Sequence, residues 1–385
     1  MRDAVICAAV RTPVGKRGGG LSGVHAVDLS AHVLQALVER AGIDPAAVDD
    51  VFWGCVSQIG EQTYNVGRTA ALAAGWPESV PGTTIDRQCG SSQQAVAFAA
   101  ATVISGQADV VVAGGVESMS RVPMGSSVGD GAAGRPLGPR FLERYGVAPN
   151  QGVGAEMIAE RWGFSRTQLD EFSLASHEKA AKAQADGAFD EEIVPVTTPD
   201  GTVVRADEGI RAGGTLEKLA TLKTPFKADG VISAGNASQI SDGSAALLVT
   251  TSEKARELGL RPLVRIHTTV MAGDDPVIML TAPIPATQKV LQRSGLALGD
   301  IGVFEVNEAF APVPLAWQVE TGADGDRLNP RGGAIALGHP LGGSGARIMT
   351  TLVHSMLATG TRYGLQTMCE GGGMANATIL ELLDA

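Results

Sequence analysis

The strongest constraint on the fold of this 385-residue chain is that it repeats itself. Val38-Glu39-Arg40-Ala41-Gly42-Ile43 resembles Gln292-Arg293-Ser294-Gly295-Leu296. The offset that carries Gly42 onto Gly295, continued without gaps, lays Val48 on Ile301 and Gly90-Ser91 on Gly343-Ser344. It also lays the apolar helix pattern after Cys89 on Ala346 to Leu357, and the strand pattern Val110–Ala113 on Tyr363–Gln366. Identity is low, but the pattern agrees over roughly 80 residues, which predicts two similar halves. Such halves pack about a pseudo-twofold axis and bring equivalent loops together. The first half alternates strand patterns (4–10, 51–56, 109–115) with helix patterns (27–40, about 65–75, 95–104). That alternation predicts a parallel-rich sheet covered on both faces.

Between the halves the pattern changes. From Ser118 to about Gly152, Gly, Pro and Ser dominate, and so long an irregular excursion is usually functional or an oligomer contact. Ser165-Arg166-Thr167-Gln168 is a capping box opening a helix to about Ala185. Pro199-Asp200-Gly201 is a turn between two Val/Thr-rich runs. Arg211, Lys218, Lys223 and Lys227, with Phe226 among them, gather basic residues in a chain of net charge −11. They read either as a solvated surface or as a grip on phosphates and a base. The division expected is an N-terminal half of 1–117 plus about 240–265, an inserted domain of 118–239, and a C-terminal half of 266–385.

The acidic balance argues against nucleic acid as a partner. No apolar run approaches about 20 residues, so no membrane span is expected. The stretch from Met1 to Arg11 has an apolar core of only seven residues between Asp3 and Arg11, and reads as an opening strand rather than a signal peptide. Cys7, Cys55, Cys89 and Cys369 stand far apart with no C-x-x-C pair, which suggests neither zinc nor disulfides and fits a reducing cytoplasm.

Chemistry concentrates in four loops at strand ends. In Thr83 to Gln94 a short β-branched run reaches Cys89 and a helix follows, so the thiol sits at a helix entrance, where partial positive charge and free N–H groups favour thiolate. Glu305-Val306-Asn307-Glu308-Ala309-Phe310 puts polar residues abruptly after a strand; Asn307 alone could be a helix cap. Ala336 to Gly345 is a glycine-rich loop with one histidine, His339; alone it could cradle a phosphate, although it lacks the lysine of a P-loop. Met368-Cys369-Glu370-Gly371-Gly372-Gly373 closes a strand with glycines that let a ligand approach bare amides. Two cysteines, a histidine and an amide on glycine-rich backbone suit Claisen chemistry on thioesters. That chemistry needs a nucleophile, its base, an acid for the departing carbanion, and an oxyanion site for each carbonyl.

Six segments in order make the chain resemble the thiolases over essentially its full length. They are Cys89-Gly90-Ser91, Gly114 to Ser120, Ala234 to Ser238, Asn307 to Phe310, Gly338-His339-Pro340 and Cys369 to Gly373. The resemblance implies an α/β fold of two duplicated halves in five layers (αβαβα) with an inserted loop domain. It implies Cys89 as the acylated nucleophile, His339 as its base, and Cys369 as the acid/base for the α-carbon. Asn307, through a water and with His339, would form one oxyanion hole; the N–H groups of Cys89 and Gly371 would form the other. Arg211, Phe226, Ala234 and Ser238 match positions lining a coenzyme A groove, with Met279 and Phe310 at its inner end. Lys223 and Lys227 are not secured by the match. Coenzyme A enters as substrate, with no permanent cofactor and no metal, and family members are dimers or dimers of dimers.

Two features depart from the short-chain biosynthetic members. Asn150-Gln151-Gly152-Val153 stands where they carry His-Met-Gly, and Glu370 stands where a small or apolar residue is common. Both lean towards degradative members that accept larger 3-ketoacyl groups. The alternatives left open are a ketoacyl synthase, against which Cys369 argues, a silent acyl-CoA or lipid-binding module, and a cysteine hydrolase.

Overall fold

Runs of β-branched residues form the strands, and glycines in left-handed backbone end several of the helices between them. The computed structural model describes residues 2–128 and 134–383. It opens with β1 (Val5–Arg11), buried along its whole length. α1 (Ala26–Ala41) is stopped by Gly42 at φ 72°. Then come β2 (Asp50–Gly54), α2 (Val66–Ala73), β3 (Thr83–Ile85), α3 (Ser91–Ser105) and β4 (Val110–Ser118). Three helices follow, α4 (Pro139–Tyr145), α5 (Gln151–Trp162) and α6 (Arg166–Ala185), and then a two-stranded ribbon of β5 (Val196–Thr197) and β6 (Val203–Val204). β7 (Ser241–Thr250) returns to the main sheet. The second half comprises β8 (Val264–Gly273), α7 (Pro283–Ser294), β9 (Val303–Val306), α8 (Pro312–Thr321), α9 (Leu341–Thr359), β10 (Tyr363–Glu370) and β11 (Met374–Leu382).

The duplication holds at the level of single residue pairs. β2 and β4 pair in parallel, Asp50 with Val111 and Trp53 with Gly114. β9 and β10 pair in parallel, Val303 with Gly364 and Val306 with Thr367. These are the same pairs shifted by the sequence offset. The strand path runs β9-β10-β11-β8-β1-β7-β4-β2-β3, and Val5 and Ile6 of β1, pairing with Arg265 and Val264 of β8, join the two half-sheets.

The sheet is mixed, not parallel-rich. Only β2–β3, β2–β4 and β9–β10 are parallel. β10 turns straight back into β11 through Gly371-Gly372-Gly373, and without a crossover helix the second strand has to run antiparallel. β7, after the long excursion, returns antiparallel to both β4 and β1.

Five layers result. α1 and α2 cover the first half-sheet through a core that includes Leu34, Leu37 and Trp53. α3 and α9 lie between the half-sheets and touch each other, with Val96, Val103, Met349 and Leu352 in the shared core. α7 and α8 cover the far side around Val290, Phe304 and Trp317. The central helices approach closely because Gly345 faces α3: a Cβ there would lie 2.3 Å from the Gln93 nitrogen. Ser92 Oγ accepts from the Ala346 amide at 2.8 Å, and Gln366 Nε2 donates to Gln93 Oε1 at 3.0 Å.

The stretch expected to be irregular contains α4, which starts at Pro139 and ends at Gly146, φ 68°. Proline at the first helical position and glycine just past the end punctuate a helix rather than a loop. Residues 129–133 of that stretch lie outside the described residues. The segment between β4 and β7 is tied to the first half by a buried cluster: Arg11 donates to Glu192 at 2.6 Å and to Asp207 at 2.7 and 2.9 Å. It is tied to the second half by Ser176, whose hydroxyl donates to buried Glu308 at 2.6 Å. No helix among the described residues is long and apolar enough to cross a membrane, and no cluster among them is arranged to hold a metal.

Candidate active site

Cys89 lies on the turn between β3 and α3, two residues before the helix begins. The turn is held by Ser91, whose hydroxyl donates to Gln88 O at 2.6 Å and accepts from the Arg87 amide at 2.9 Å. Gln88 carries φ 48°, left-handed backbone that costs a non-glycine residue energy and recurs at functional sites. The sulfur is buried, 6% exposed. Burial pushes its thiol up to about 12, and the charge of Glu370 adds to this; the N–H groups of Cys89 and Gly371, facing the sulfur, pull the other way. The amides at the helix entrance favour thiolate, but desolvation outweighs them, and the resting group is a thiol.

His339, 3% exposed, lines the same cavity as Cys89. Its Nδ1 lies 2.6 Å from Ser344 Oγ, and the Ser344 hydroxyl spends its proton on Pro340 O at 2.9 Å. Nδ1 is thus the donor, which leaves Nε2 as the lone-pair nitrogen. Nε2 has no partner among the described residues. Burial, with Arg347 adding to it, pulls the ring down to about 3, so the imidazole is neutral.

Cys89 and His339 line one cavity of about 250 Å³, together with Phe226, Ala234, Ser238 and Phe310. Phe226 meets Phe310 edge-on at 6.1 Å. The segment between β4 and β7 reaches this cavity, where Ser238 donates its amide to Ala309 O at 2.9 Å. Gly152 leaves room for Phe226, since a Cβ there would lie 2.2 Å from the ring. Gln151 lines the cavity, whereas Asn150 only caps α5, its Oδ1 accepting from Gly152 and Val153.

Cys369, at the end of β10, is fully buried and packs in the same cluster as Met279 and Phe310. Burial pushes its thiol well up, and the charge of a Cys89 thiolate pushes it further, so Cys369 lies in the field of Cys89. Met279 has φ 65°, a second strained residue beside the site. Asn307 is 2% exposed, and neither its Nδ2 nor its Oδ1 has a partner among the described residues. It caps no helix: α8 begins at Pro312 without a side-chain cap. A buried amide with both ends open is built for a ligand or a water. Arg211 stands apart. It is exposed, outside the cavity, with its amide donating to His177 Nδ1 at 3.1 Å. Lys227 is engaged with Glu160 at 2.9 Å.

The glycine-rich segment around His339 is no phosphate cradle. The Gly342 amide donates to Glu117 Oε2 at 2.9 Å, and a Cβ on Gly342 would lie 2.5 Å from the Cys55 Cα. These glycines serve close packing of α9, and its N-terminus is already capped by a carboxylate. Sequence reading also missed Ser344, which fixes the His339 tautomer, and Met119 and Met124, which line the cavity. Ser344 carried a signal, since a hydroxyl one turn beyond a histidine can orient it; the methionines carried none, being apolar residues in an irregular stretch.

Comparisons with known proteins agree with this geometry. Residues 4–253 match the thiolase N-terminal domain and residues 260–382 the thiolase C-terminal domain. The chain is 51% identical to a steroid 3-ketoacyl-CoA thiolase of Mycobacterium tuberculosis, over 100% of this chain and 95% of the relative. It is 45% identical to a beta-ketoadipyl-CoA thiolase of Escherichia coli, over 99% of this chain and 100% of the relative. The crystal structure of the Bacillus anthracis acetyl-CoA acetyltransferase superposes with a TM-score of 0.92 at 42% identity, covering 100% of this chain and 99% of that one. Duplicated halves, paired cysteines and relatives matched from end to end lead to one conclusion: the chain belongs to the thiolase family.

Proposed function

We propose that this protein cleaves a 3-ketoacyl-CoA with coenzyme A to give acetyl-CoA and a shortened acyl-CoA, in a degradative direction. The observation that carries this reading is a pair of buried thiols, Cys369 lying in the field of Cys89, beside a neutral imidazole whose Nε2 has no partner among the described residues. In the first half-reaction the Cys89 proton passes to His339 Nε2 as sulfur bonds to the ketone carbon. The bond between that carbon and the α-carbon then breaks. The departing acetyl-CoA enolate takes its proton from Cys369, and the shortened acyl group stays on Cys89 as a thioester. In the second half-reaction the thiol of coenzyme A loses its proton to Cys369 and attacks that thioester. Sulfur leaves and recovers its proton from His339, so the enzyme returns unchanged. The N–H groups of Cys89 and Gly371 would hold one carbonyl oxygen; His339, with a water on Asn307, would hold the other.

Residues 118–239 form the inserted domain in this reading. They bring Phe226, Ala234 and Ser238 to the channel along which the pantetheine arm enters, with Met279 and Phe310 at its inner end. Arg211 would act further out, on the nucleotide. Coenzyme A is substrate rather than resident cofactor, and the protein works as a cytoplasmic dimer or dimer of dimers. The test is intact-protein mass spectrometry with 3-ketoacyl-CoAs of different length and bulk. An acyl adduct on Cys89 that coenzyme A removes supports the reading. Hydrolysis of the thioester without coenzyme A dependence contradicts it.

A further inference from the structure

The sequence offset that superposes the halves also carries Glu117, at the end of β4, onto Glu370, at the end of β10. Both are fully buried, and each faces the start of a central helix. Their surroundings differ. Glu117 accepts from the amides of Val56, Ser57 and Gly342 at 2.9–3.0 Å and from Gln62 Nε2 at 2.7 Å. Neither oxygen of Glu370 has a partner among the described residues. Glu370 is wedged on Gly90, where a Cβ would lie 2.0 Å from its Oε1 and 2.8 Å from Asn376 Nδ2. The same offset carries Gly342 back onto Cys89. The amide that a carboxyl group captures in one half is thus, in the other, the amide of the nucleophile, and it faces sulfur instead.

We propose that Glu370 is a positioning residue for this reaction: a buried carboxylic acid that supports the Cys89 turn while protonated and disables it when ionised. This rests on Cys89 being the nucleophile. An ionised Glu370 would do what Glu117 does, drawing in the turn amide, and would set a negative charge against any Cys89 thiolate. The charged and titratable groups involved are few. Arg87, on the turn before Cys89, is the one charge that favours the ionised form, and its Nη1 is directed at Met374 Sδ at 3.9 Å. Cys89 and Cys369 feel Glu370, and Cys89 also feels Glu117. Burial moves the Glu370 carboxyl up to about 8, Arg87 opposing, so in neutral solution the proton stays on. Above that range the charge appears, and the Cys89 thiolate becomes harder to form.

Alkylation of Cys89 by iodoacetamide, followed by mass spectrometry of its peptide across about pH 6.5 to 10, tests this. In the wild-type protein the rate should climb with pH, flatten near pH 8 as Glu370 ionises, and then resume. Glu370→Gln, neutral throughout, should climb without the break. It should match wild type at about pH 6.5 and exceed it about tenfold at about pH 9.5, the effect of one pKa unit. Glu370→Ala should be slow at every pH, with Glu370→Gln restoring the rate at neutral pH. A break that persists in Glu370→Gln, or a wild-type profile without one, overturns the proposal. The wild-type profile needs no variant to fold. Alkylation confined to another cysteine overturns the thiolase reading and this proposal together, whereas reaction at Cys89 with an unbroken profile overturns this proposal alone.

Discussion

The turn at Cys89-Gly90 and the turn at Gly342-Gly343 occupy equivalent positions in the two halves, yet only one is free to react. At Gly342 the amide is spent on Glu117, and backbone of Cys55, just past β2, and of Val116 in β4 fills the space that a side chain would need. At Cys89 the amide faces a sulfur, and a cavity opens before it. Duplication supplied two helix entrances. One was closed to become packing and the other was left incomplete to become a site. The same contrast runs through the strand ends: Gly54 is pressed against the Ser92 nitrogen, whereas its equivalent, Asn307, keeps an amide with nothing to bind. Asn307, His339 and Glu370 are all buried with polar atoms left unpartnered among the described residues, a cost that a fold tolerates at a site.

This contrast breaks if the two halves prove interchangeable in their cysteines. Cys89→Ser should lower turnover by on the order of 10³-fold or more, because the site depends on a sulfur nucleophile. Cys55→Ser, on the closed side, should leave turnover within about threefold while costing some stability, roughly 1 kcal/mol, for a buried hydroxyl. Steady-state kinetics and urea denaturation of both variants decide the matter, and the reverse assignment of losses would end the comparison.

The open groups should matter next. His339→Ala and Asn307→Ala should each lower kcat about a hundredfold, near 3 kcal/mol of transition-state stabilisation, with little change in KM. If either variant altered only the KM for coenzyme A, that residue would belong to binding rather than to the developing charge.

Much of this was legible in the sequence, and the limits have physical causes. The offset found from Gly42 and Gly295 laid one half on the other, and the registers of β2–β4 and β9–β10 keep the same shift, because both helix-ending glycines and strand periodicity are local properties. Cys89, His339 and the cavity wall were legible as motifs. Strand direction was not: alternation of elements reads as parallel, and only the three-glycine hairpin after Glu370 turns β11 back. The strength of the desolvation opposing the helix entrance at Cys89 was not legible, because a helix entrance is visible in sequence and burial is not. Ser344 and Glu117 stood within segments already noted, but their roles depend on which oxygen each proton reaches.

The smallest effect sharpens the closed side. Gly345→Ala should cost roughly 1–3 kcal/mol in stability, since its Cβ would meet the Gln93 nitrogen and α9 would have to move off α3. Turnover per folded molecule should fall less than in His339→Ala. A Gly345→Ala variant as stable as wild type would mean that the central helices do not need their close approach.

The central claim is a division of labour between two thiols: Cys89 carries the acyl group and Cys369 moves the proton at the α-carbon. Cys369→Ala tests it most directly. The variant should still take an acyl group onto Cys89 from a simple acyl-CoA, a step without a carbanion, as intact mass would show. It should lose cleavage of 3-ketoacyl-CoA by about 10²–10⁴-fold, the usual worth of a positioned acid. It should also lose exchange of the acetyl-CoA α-protons with deuterated water. A Cys369→Ala protein that acylates normally and keeps that exchange would contradict the account, because some other group would then be handling the α-carbon.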